Sequence, residues 1–351
     1  MRKYKVGIIG IGNIAYAHID ALRQLDNVEV TAICSRNNIE AKAKQLNIKH
    51  YYTDYKIMFE KEKLDSVHIC TSNDVHFDIA KLALNKGVHV ILEKPMTIDV
   101  KEALELVQLA KEKNLVAKVH FHNRFYAINQ YIKEHIKDIG PIMSIHGEYS
   151  QGWATEQKVF NWRYQQKYGG NTRVIADIGT HYFDLVEYVT GHKIVAVSAL
   201  LHQVYDKRAG HNIDTEDIGV VMYKTDKNAV GTALFTQSLA GVGNKLSFNI
   251  AGQTGSFISE GTDSTKAYFA KVNEDQKLIT QTKINTLKNK QMYPASHFME
   301  AFKEAFRQFY YEIEHKDFNS DYANFEDGLH SMKLLDAIYQ SHITKQWVLV
   351  R

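Results

Sequence analysis

Cysteine, proline and long apolar runs are all scarce in this chain of 351 residues, which has two cysteines and three prolines. Cys34 and Cys70 each fall in an apolar run that reads as a buried strand. Buried thiols are therefore expected rather than a disulfide, and a reducing compartment, the cytoplasm, fits. No stretch approaches the ~18 consecutive apolar residues of a membrane span. The chain opens Met1-Arg2-Lys3 and soon turns apolar, but Gly7, Gly10, Gly12 and Asn13 break the run and His18 follows. That reads as a strand and a turn rather than a signal peptide. Charge of one sign is missing too: 43 Lys and Arg stand against 40 Asp and Glu, a net +3. Such an excess is too small for a nucleic-acid or membrane-surface footprint. Neither internal repeats nor low-complexity linkers are present.

What is there is ordinary globular composition, 44% hydrophobic and 24% charged, in a chain long enough for two domains. Up to about residue 121, short apolar runs alternate with helical patterns. Strands are expected at Lys5–Ile9, Val28–Cys34, Ser66–Cys70, Val88–Leu92 and Val116–His120. Helices are expected at Asn13–Leu25, Ile39–Leu46, Asp74–Leu84 and Asp99–Lys113. That alternation means a parallel sheet covered on both faces, hence a doubly wound α/β domain over 1–121. From residue 122 the pattern changes. After a helix (Asn129–Lys137) and a strand (Ile142–Tyr149) comes an aperiodic aromatic stretch to Arg173. A helix, Asp177–Thr190, follows and is closed by Gly191. Strands then cluster: Lys193–Val204, Ile218–Lys224, Ala229–Gln237, Lys245–Ala251 and Gly255–Ser259. Two helices, Ala295–His315 and Tyr322–His342, end the chain. Clustered strands predict a second α/β domain over 122–351 with a large, open, mainly antiparallel sheet.

Three motifs carry chemistry. The first is Gly10-Ile11-Gly12-Asn13-Ile14-Ala15, a G-x-G-x-x-A at the junction of the first strand and first helix. Gly10 makes the tight turn, Gly12 lets the backbone approach a pyrophosphate, and Ala15 is small enough for helix–strand packing. The helix N-terminus then faces the anion. A purely structural turn is the competing reading, but this motif opens the βαβ unit that dinucleotide binding requires. At the tip of the second strand stand Ser35 and Arg36 where NAD sites usually place an acid. A hydroxyl and a guanidinium suit a 2′-phosphate, so NADP is preferred over NAD. Against this, a solvated Arg36 would leave both cofactors acceptable.

The second motif is Glu93-Lys94-Pro95, directly after a strand, where open α/β sheets bind ligands. A lysine there can polarise a hydroxyl or carbonyl oxygen; taken alone it would be a surface lysine. The third is Asp177-Ile178-Gly179-Thr180-His181. With Asp177 as helix cap, both side chains share one face, and a carboxylate beside a histidine makes a proton shuttle. Taken alone, the pair reads as a cap and a satisfied core histidine.

In this order the three motifs resemble the Gfo/Idh/MocA oxidoreductases, the glucose–fructose oxidoreductase and inositol dehydrogenase family. Thr71-Ser72-Asn73-Asp74-Val75-His76 and the run Ala83–Met96 are similar to the family's cofactor-domain core, although Ser72 stands where the family commonly has Pro. Phe325-Glu326-Asp327-Gly328, with Ala337 and Ser341, resembles its last helix. The resemblance covers essentially the whole chain. It implies hydride transfer between a sugar, anhydrosugar or polyol hydroxyl and NAD or NADP, in oligomers built on the open sheet. Carried over by position, Lys94, Asp177 and His181 are catalytic. His181 is the main proton acceptor, Asp177 orients it and Lys94 steers the hydroxyl, with the choice between Lys94 and His181 as acceptor open. Gly10, Gly12, Asn13, Ile14, Ser35, Arg36, Thr71, Asn73, His76, Glu93 and Lys94 make the cofactor side. Arg124, Tyr149, Trp153 and Arg163 join the catalytic residues on the substrate side, although each reads equally well as a packed aromatic or a surface ion pair. No metal is expected, since neither cysteine has a ligand at metal spacing. A redox glycosidase and a non-catalytic NAD(P)-binding sensor are the alternatives. Intact Glu93-Lys94-Pro95 speaks against the first, and the presence of both Lys94 and His181 against the second.

Overall fold

The computed structural model describes residues 3–261, 263–281, 283–284, 293–294, 298–316 and 320–351. Met1, Arg2 and the expected helix start at Ala295 lie outside the described residues. The chain forms two compact units, one of 1–122 with 298–329, the other of 123–297 with 330–351.

In the first unit the apolar runs become parallel strands. They are β1 (Tyr4–Ile9), β2 (Val28–Cys34), β3 (His50–Tyr52), β4 (Ser66–Ile69), β5 (His89–Leu92) and β6 (Ala117–Val119). Their order is β3-β2-β1-β4-β5-β6, all parallel, which is the doubly wound dinucleotide-binding topology. Helices α1 (Asn13–Leu22), α2 (Ile39–Gln45), α3 (Tyr55–Lys61), α4 (His76–Asn85) and α5 (Val100–Lys113) connect them. Asp99 caps α5 by accepting from the Lys101 amide at 2.6 Å, and the expected stripe Ala103, Leu106, Val107 and Ala110 is buried. α1 differs from expectation. It buries Ala15, His18, Ile19, Ala21 and Leu22, so a histidine sits in its core face. β3 and α3 were not expected, and Glu93 accordingly follows the fifth strand rather than the fourth. The helix Phe298–His315 returns to this unit: its Phe302, Phe306, Phe309 and Tyr310 are buried, with the Phe306 ring 4.9 Å from that of His18.

In the second unit, α6 (Ala127–His135) precedes β7 (Ile142–Ser150). After the aromatic stretch comes α7 (Thr180–Thr190). It is buried all round rather than along one stripe, as a helix is when it has no wet face. Gly191, at φ 65°, ends it. Then come β8 (Ile194–His202), β9 (Ile218–Thr225), β10 (Val230–Thr236), β11 (Lys245–Gly252), β12 (Gly255–Ser259), β13 (Lys266–Lys271), β14 (Lys277–Thr280) and β15 (Val348–Leu349). They form one nine-stranded sheet in the order β14-β13-β12-β11-β7-β10-β9-β8-β15. Neighbours are antiparallel except β7 and β10. β9 alternates buried and exposed residues along its length, the pattern of a sheet with one covered face. α7 lies on the covered face: the Tyr182 hydroxyl meets that of Tyr223 at 3.0 Å, and the Phe183 ring lies 5.2 Å from that of Phe235.

Candidate active site

Register gathers the cofactor-side residues of the first unit at the carboxyl edge of its sheet. The amides of Gly10, Cys70 and Glu93 donate to Cys34, Ile9 and Ile69 carbonyls at 2.8, 2.8 and 3.0 Å. The glycine turn, the tip of β2, the Thr71 loop and Glu93-Lys94 therefore share one edge, where open α/β sheets take ligands. Gly10 has φ +90°, and a Cβ there would stand 2.6 Å from the Cys70 carbonyl oxygen. Only glycine fits. A Cβ on Gly12 would meet nothing within 4 Å. That open space, at the N-terminus of α1 where no side chain caps the backbone, fits a pyrophosphate. Asn13 is exposed and Ile14 half-buried beside it; Ser35 is half-buried and Arg36 exposed. Thr71 and Asn73 are half-buried in the loop after β4.

His76, expected on the cofactor side, sits between two of these loops. It is fully buried, with Nδ1 3.0 Å from the Pro95 carbonyl and Nε2 3.3 Å from that of Thr71. It stitches the Glu93-Lys94-Pro95 turn to the Thr71 loop. Burial holds its pKa below the usual histidine range. The Lys94–Pro95 bond is cis. Glu93 is buried, accepts from the Lys94 amide at 3.3 Å and meets His18 Nε2 at 3.0 Å. Burial pushes its pKa up, but His18, Lys94 and His122 together hold it below 4.5. Cys34 and Cys70 are free and buried, and desolvation drives the Cys34 thiol up to about 12.

The second unit builds the other set. Asp177 does not cap a helix. It lies inside a π-helical turn, Ile175–Gly179, that runs on into α7, the kind of turn that often marks a functional site. The cap comes instead from Glu216, whose Oε1 accepts from the Arg173 and Ile175 amides at 2.9 and 3.0 Å. This frees the Asp177 carboxylate for other work. Its Oδ2 accepts from Gln237 Nε2 at 2.6 Å, and its Oδ1 lies 3.6 Å from Arg163 Nε. Gln237 is fully buried, and its Oε1 accepts from Arg173 Nη1 at 3.0 Å. Arg173 in turn donates to Asp217 Oδ1 at 2.5 Å, an oxygen it shares with Arg208 Nη2 at 2.7 Å. Buried ion pairs of this kind cost several kcal/mol to break from one side, so Gln237 is anchored on a rigid base. Gln237 Nε2 also reaches Gln151 Oε1, 3.2 Å away, which accepts from Trp153 Nε1 at 2.9 Å. Asp177 thus faces a wall of Gln151, Trp153 and Arg163. His181, one helical turn on, is 5% exposed, its ring 6.3 Å from that of Tyr149. Burial raises the Tyr149 pKa well above the tyrosine range.

Arg124, expected on the substrate side, is buried and ion-paired. Its Nε and Nη2 hold both oxygens of Asp184 at 2.8 and 2.5 Å, a bidentate pair that occupies the guanidinium. Gln237, Gln151, Arg173 and Glu216 were missed. Nothing local marks them, because each acts on a residue tens of positions away. His18 was missed as well, although a histidine on the core face of α1 was a visible signal.

Residues 4–121 match an oxidoreductase family model described as an NAD-binding Rossmann fold, and residues 133–350 match that family's C-terminal alpha/beta domain. Levoglucosan dehydrogenase of Pseudarthrobacter phenanthrenivorans is 26% identical over 79% of each chain. Among solved structures, an oxidoreductase domain protein from Kribbella flavida superposes with TM-score 0.90 at 23% identity over 100% of both chains. A levoglucosan dehydrogenase in complex with NADH and levoglucosan gives 0.89 at 23% identity, over 99% of this chain and 100% of that one.

Proposed function

From a chain that belongs to the Gfo/Idh/MocA oxidoreductases, we propose a dehydrogenase that oxidises a secondary hydroxyl of a sugar, anhydrosugar or polyol. The observation that carries this reading is the Asp177 site. A carboxylate is held by Gln237 at 2.6 Å, one turn before His181 and against an aromatic and amide wall. Aromatic faces suit the C–H faces of a sugar ring, and amides and Arg163 suit its hydroxyls. The related dehydrogenase bound to levoglucosan makes anhydrosugars the first class to try.

The chemistry that NAD or NADP would supply when bound is a hydride acceptor for the substrate carbon. The Gly10–Gly12 turn would hold its pyrophosphate, and Ser35 with Arg36 its adenosine ribose. Absence of an acid at the tip of β2 favours NADP. Lys94 donates a hydrogen bond to the reacting hydroxyl and steers it. His181 takes the hydroxyl proton as the C=O bond forms, and Asp177 orients and stabilises the imidazolium. The products are a ketone, the reduced cofactor and one proton.

The open face of the nine-stranded sheet suits a second copy of the chain. Leu200, Val220 and Leu234 lie side by side across β8, β9 and β10 and are 57%, 40% and 39% exposed. A contiguous apolar patch of this kind marks an interface, and a homodimer or tetramer is our reading. The free thiols suit a reducing compartment, which we take to be the cytoplasm. Among the described residues no helix is long and apolar enough to cross a membrane.

The test is reduced-cofactor absorbance with NAD and NADP separately, over levoglucosan, aldoses and inositols, with Lys94→Ala alongside. Turnover on one substrate class, abolished in the variant and faster with NADP, supports every part. Equal rates with both cofactors would remove the NADP preference. Cofactor binding without turnover on any substrate would overturn the dehydrogenase.

A further inference from the structure

Behind Glu93, four more polar side chains of the first unit stand in series. Glu93 Oε1 lies 3.0 Å from His18 Nε2, and His18 Nδ1 lies 2.9 Å from His68 Nδ1. His68 Nε2 is 3.4 Å from the Tyr310 hydroxyl, which is 3.0 Å from Ser66 Oγ. The four come from α1, β4 and the helix Phe298–His315, and Glu93 from the turn after β5. His18, His68 and Ser66 are wholly buried. The Phe306 ring closes over both imidazoles, 4.9 Å from His18 and 4.7 Å from His68.

Hydrogen-bond capacity gives this series one direction. An ionised carboxylate only accepts, so His18 Nε2 carries a proton. A neutral imidazole then accepts at Nδ1, so His68 donates from Nδ1 and accepts at Nε2 from Tyr310. The Tyr310 hydroxyl accepts in turn from Ser66. Every link is used once, and the chain ends on a single negative charge beside Lys94. Reversing the whole series would require a protonated, neutral Glu93 donating to His18 Nε2, and reversing only its far half would require a doubly protonated His68, which burial and the neighbouring His18 strongly oppose.

We propose that His18 is a positioning residue: as the last link of this chain it keeps the Glu93 carboxylate ionised and fixed beside Lys94, and so sets an acid step of catalysis separate from that of His181. The proposal rests on the reading of Lys94 as catalytic. Other groups face Glu93 as well: Lys94 on the same turn, His122 after β6, Cys70 and His76 around the β4 loop, and Tyr322 near the chain's end. Lys94 and His122 favour its charge, while its own burial opposes it. The largest favourable contribution is the hydrogen bond from His18, Nε2 to Glu93 Oε1 at 3.0 Å. His120 completes the surroundings, with His18, Glu93 and His120 bringing one ligand atom each within 4.8 Å of one another.

The experiment compares His18→Leu, His18→Gln and Tyr310→Phe with the full-length wild type. One readout is kcat/KM from pH 3 to 10, fitted with separate acid steps for His181 and Glu93; the other is the Glu93 carboxylate band by infrared difference against Glu93→Gln. In His18→Leu the Glu93 step of the acid limb should rise by about one pH unit or more, as expected for a buried carboxyl deprived of its partner. His18→Gln, with an amide that can donate to Glu93, should restore the limb. Tyr310→Phe, a milder change, should shift it less and in the same direction; it also serves if His18→Leu does not fold. A merely structural histidine would lower thermal stability and leave the limb where it was. An unmoved limb together with an unmoved Glu93 band would overturn the proposal. So would one equivalent of Zn²⁺ or Co²⁺ retained after dialysis and lost in His120→Ala, because an ion would occupy the His18 and Glu93 atoms. If the wild type shows no turnover, the dehydrogenase reading falls, while the infrared band still decides the wiring on its own.

Discussion

Asp177 can orient a histidine only while its own carboxylate is held still, and that task falls to Gln237. Gln237→Leu keeps much of the volume but strands Asp177 and Arg173 together. A hydrogen bond to a charged group is worth about 1.5–3 kcal/mol, so kcat/KM should fall roughly 10- to 100-fold. Steady-state kinetics with thermal melting checks this, and an unchanged kcat/KM in a folded variant would remove Gln237 from the site. Arg163 behaves differently. Its side chain is 38% exposed, with Nε 3.6 Å from Asp177, and its guanidinium stands 4.4 Å over Trp162. Arg163→Ala should raise KM by about tenfold while stability moves by only about 0.5 kcal/mol, the usual range for an exposed position. A KM that stays put would exclude it from substrate binding. The type of residue was legible at both positions; its partner was not. Arg163 stood out as an aromatic-flanked arginine, whereas Gln237 at the end of a strand looks like any polar residue entering a loop.

The π-helical turn shows the same limit one level up. Sequence period foretold a helix through His181, and the structure has one, but period cannot say where a buried helix begins. Glu216, more than forty residues downstream, supplies the cap at Arg173 and Ile175. Burial raises its pKa above the usual carboxylate value. Glu216→Ala removes the acceptor for the Arg173 and Ile175 amides and should cost about 1–2 kcal/mol, the scale of a lost cap. It should also lower kcat by loosening Asp177. Urea denaturation and kcat, measured on the same preparation, test both; loss of stability with full kcat would separate the cap from the site. Elements whose apolar pattern is strong, β1, β2, β4, β5 and α5, were legible close to their observed bounds. β3, α3, β13 and β14 were not. β3 and β14 have no fully buried residue and are mostly exposed, so their pattern carries little hydrophobic signal. The glycine turn, Lys94 and the Asp177–His181 spacing were legible because their chemistry is local.

For the whole molecule, the exposed row Leu200–Val220–Leu234 predicts self-association. Val220→Glu places a charge in the middle of that row and should shift the protein towards monomer in size-exclusion light scattering; a wild type already monomeric at micromolar concentration would refute the interface. Acid sensitivity is also a property of the whole. Burial lowers His122 from 6.5 to about 4. The unfolded chain takes up that proton first, so the stability due to neutral His122 is complete above pH 6.5 and drains away as pH falls towards 4. Glu187 is lowered from 4.5 despite its burial, with His330 the largest favourable partner. Its contribution holds above pH 4.5 and is lost below. Urea midpoints should therefore fall with pH from 6.5 downward, less steeply in His122→Phe; a flat midpoint between pH 6.5 and 4 would contradict the assignment. One last consequence follows from the return of Phe298–His315 to the first unit. Its aromatic rings cover His18, and Tyr322 bonds His120 at 2.7 Å. The nucleotide-binding half is therefore not a cassette that can be cut out after residue 121 and grafted elsewhere. On the ribosome its six strands are made before most of the other unit and wait, unfinished, until residues 298–329 follow.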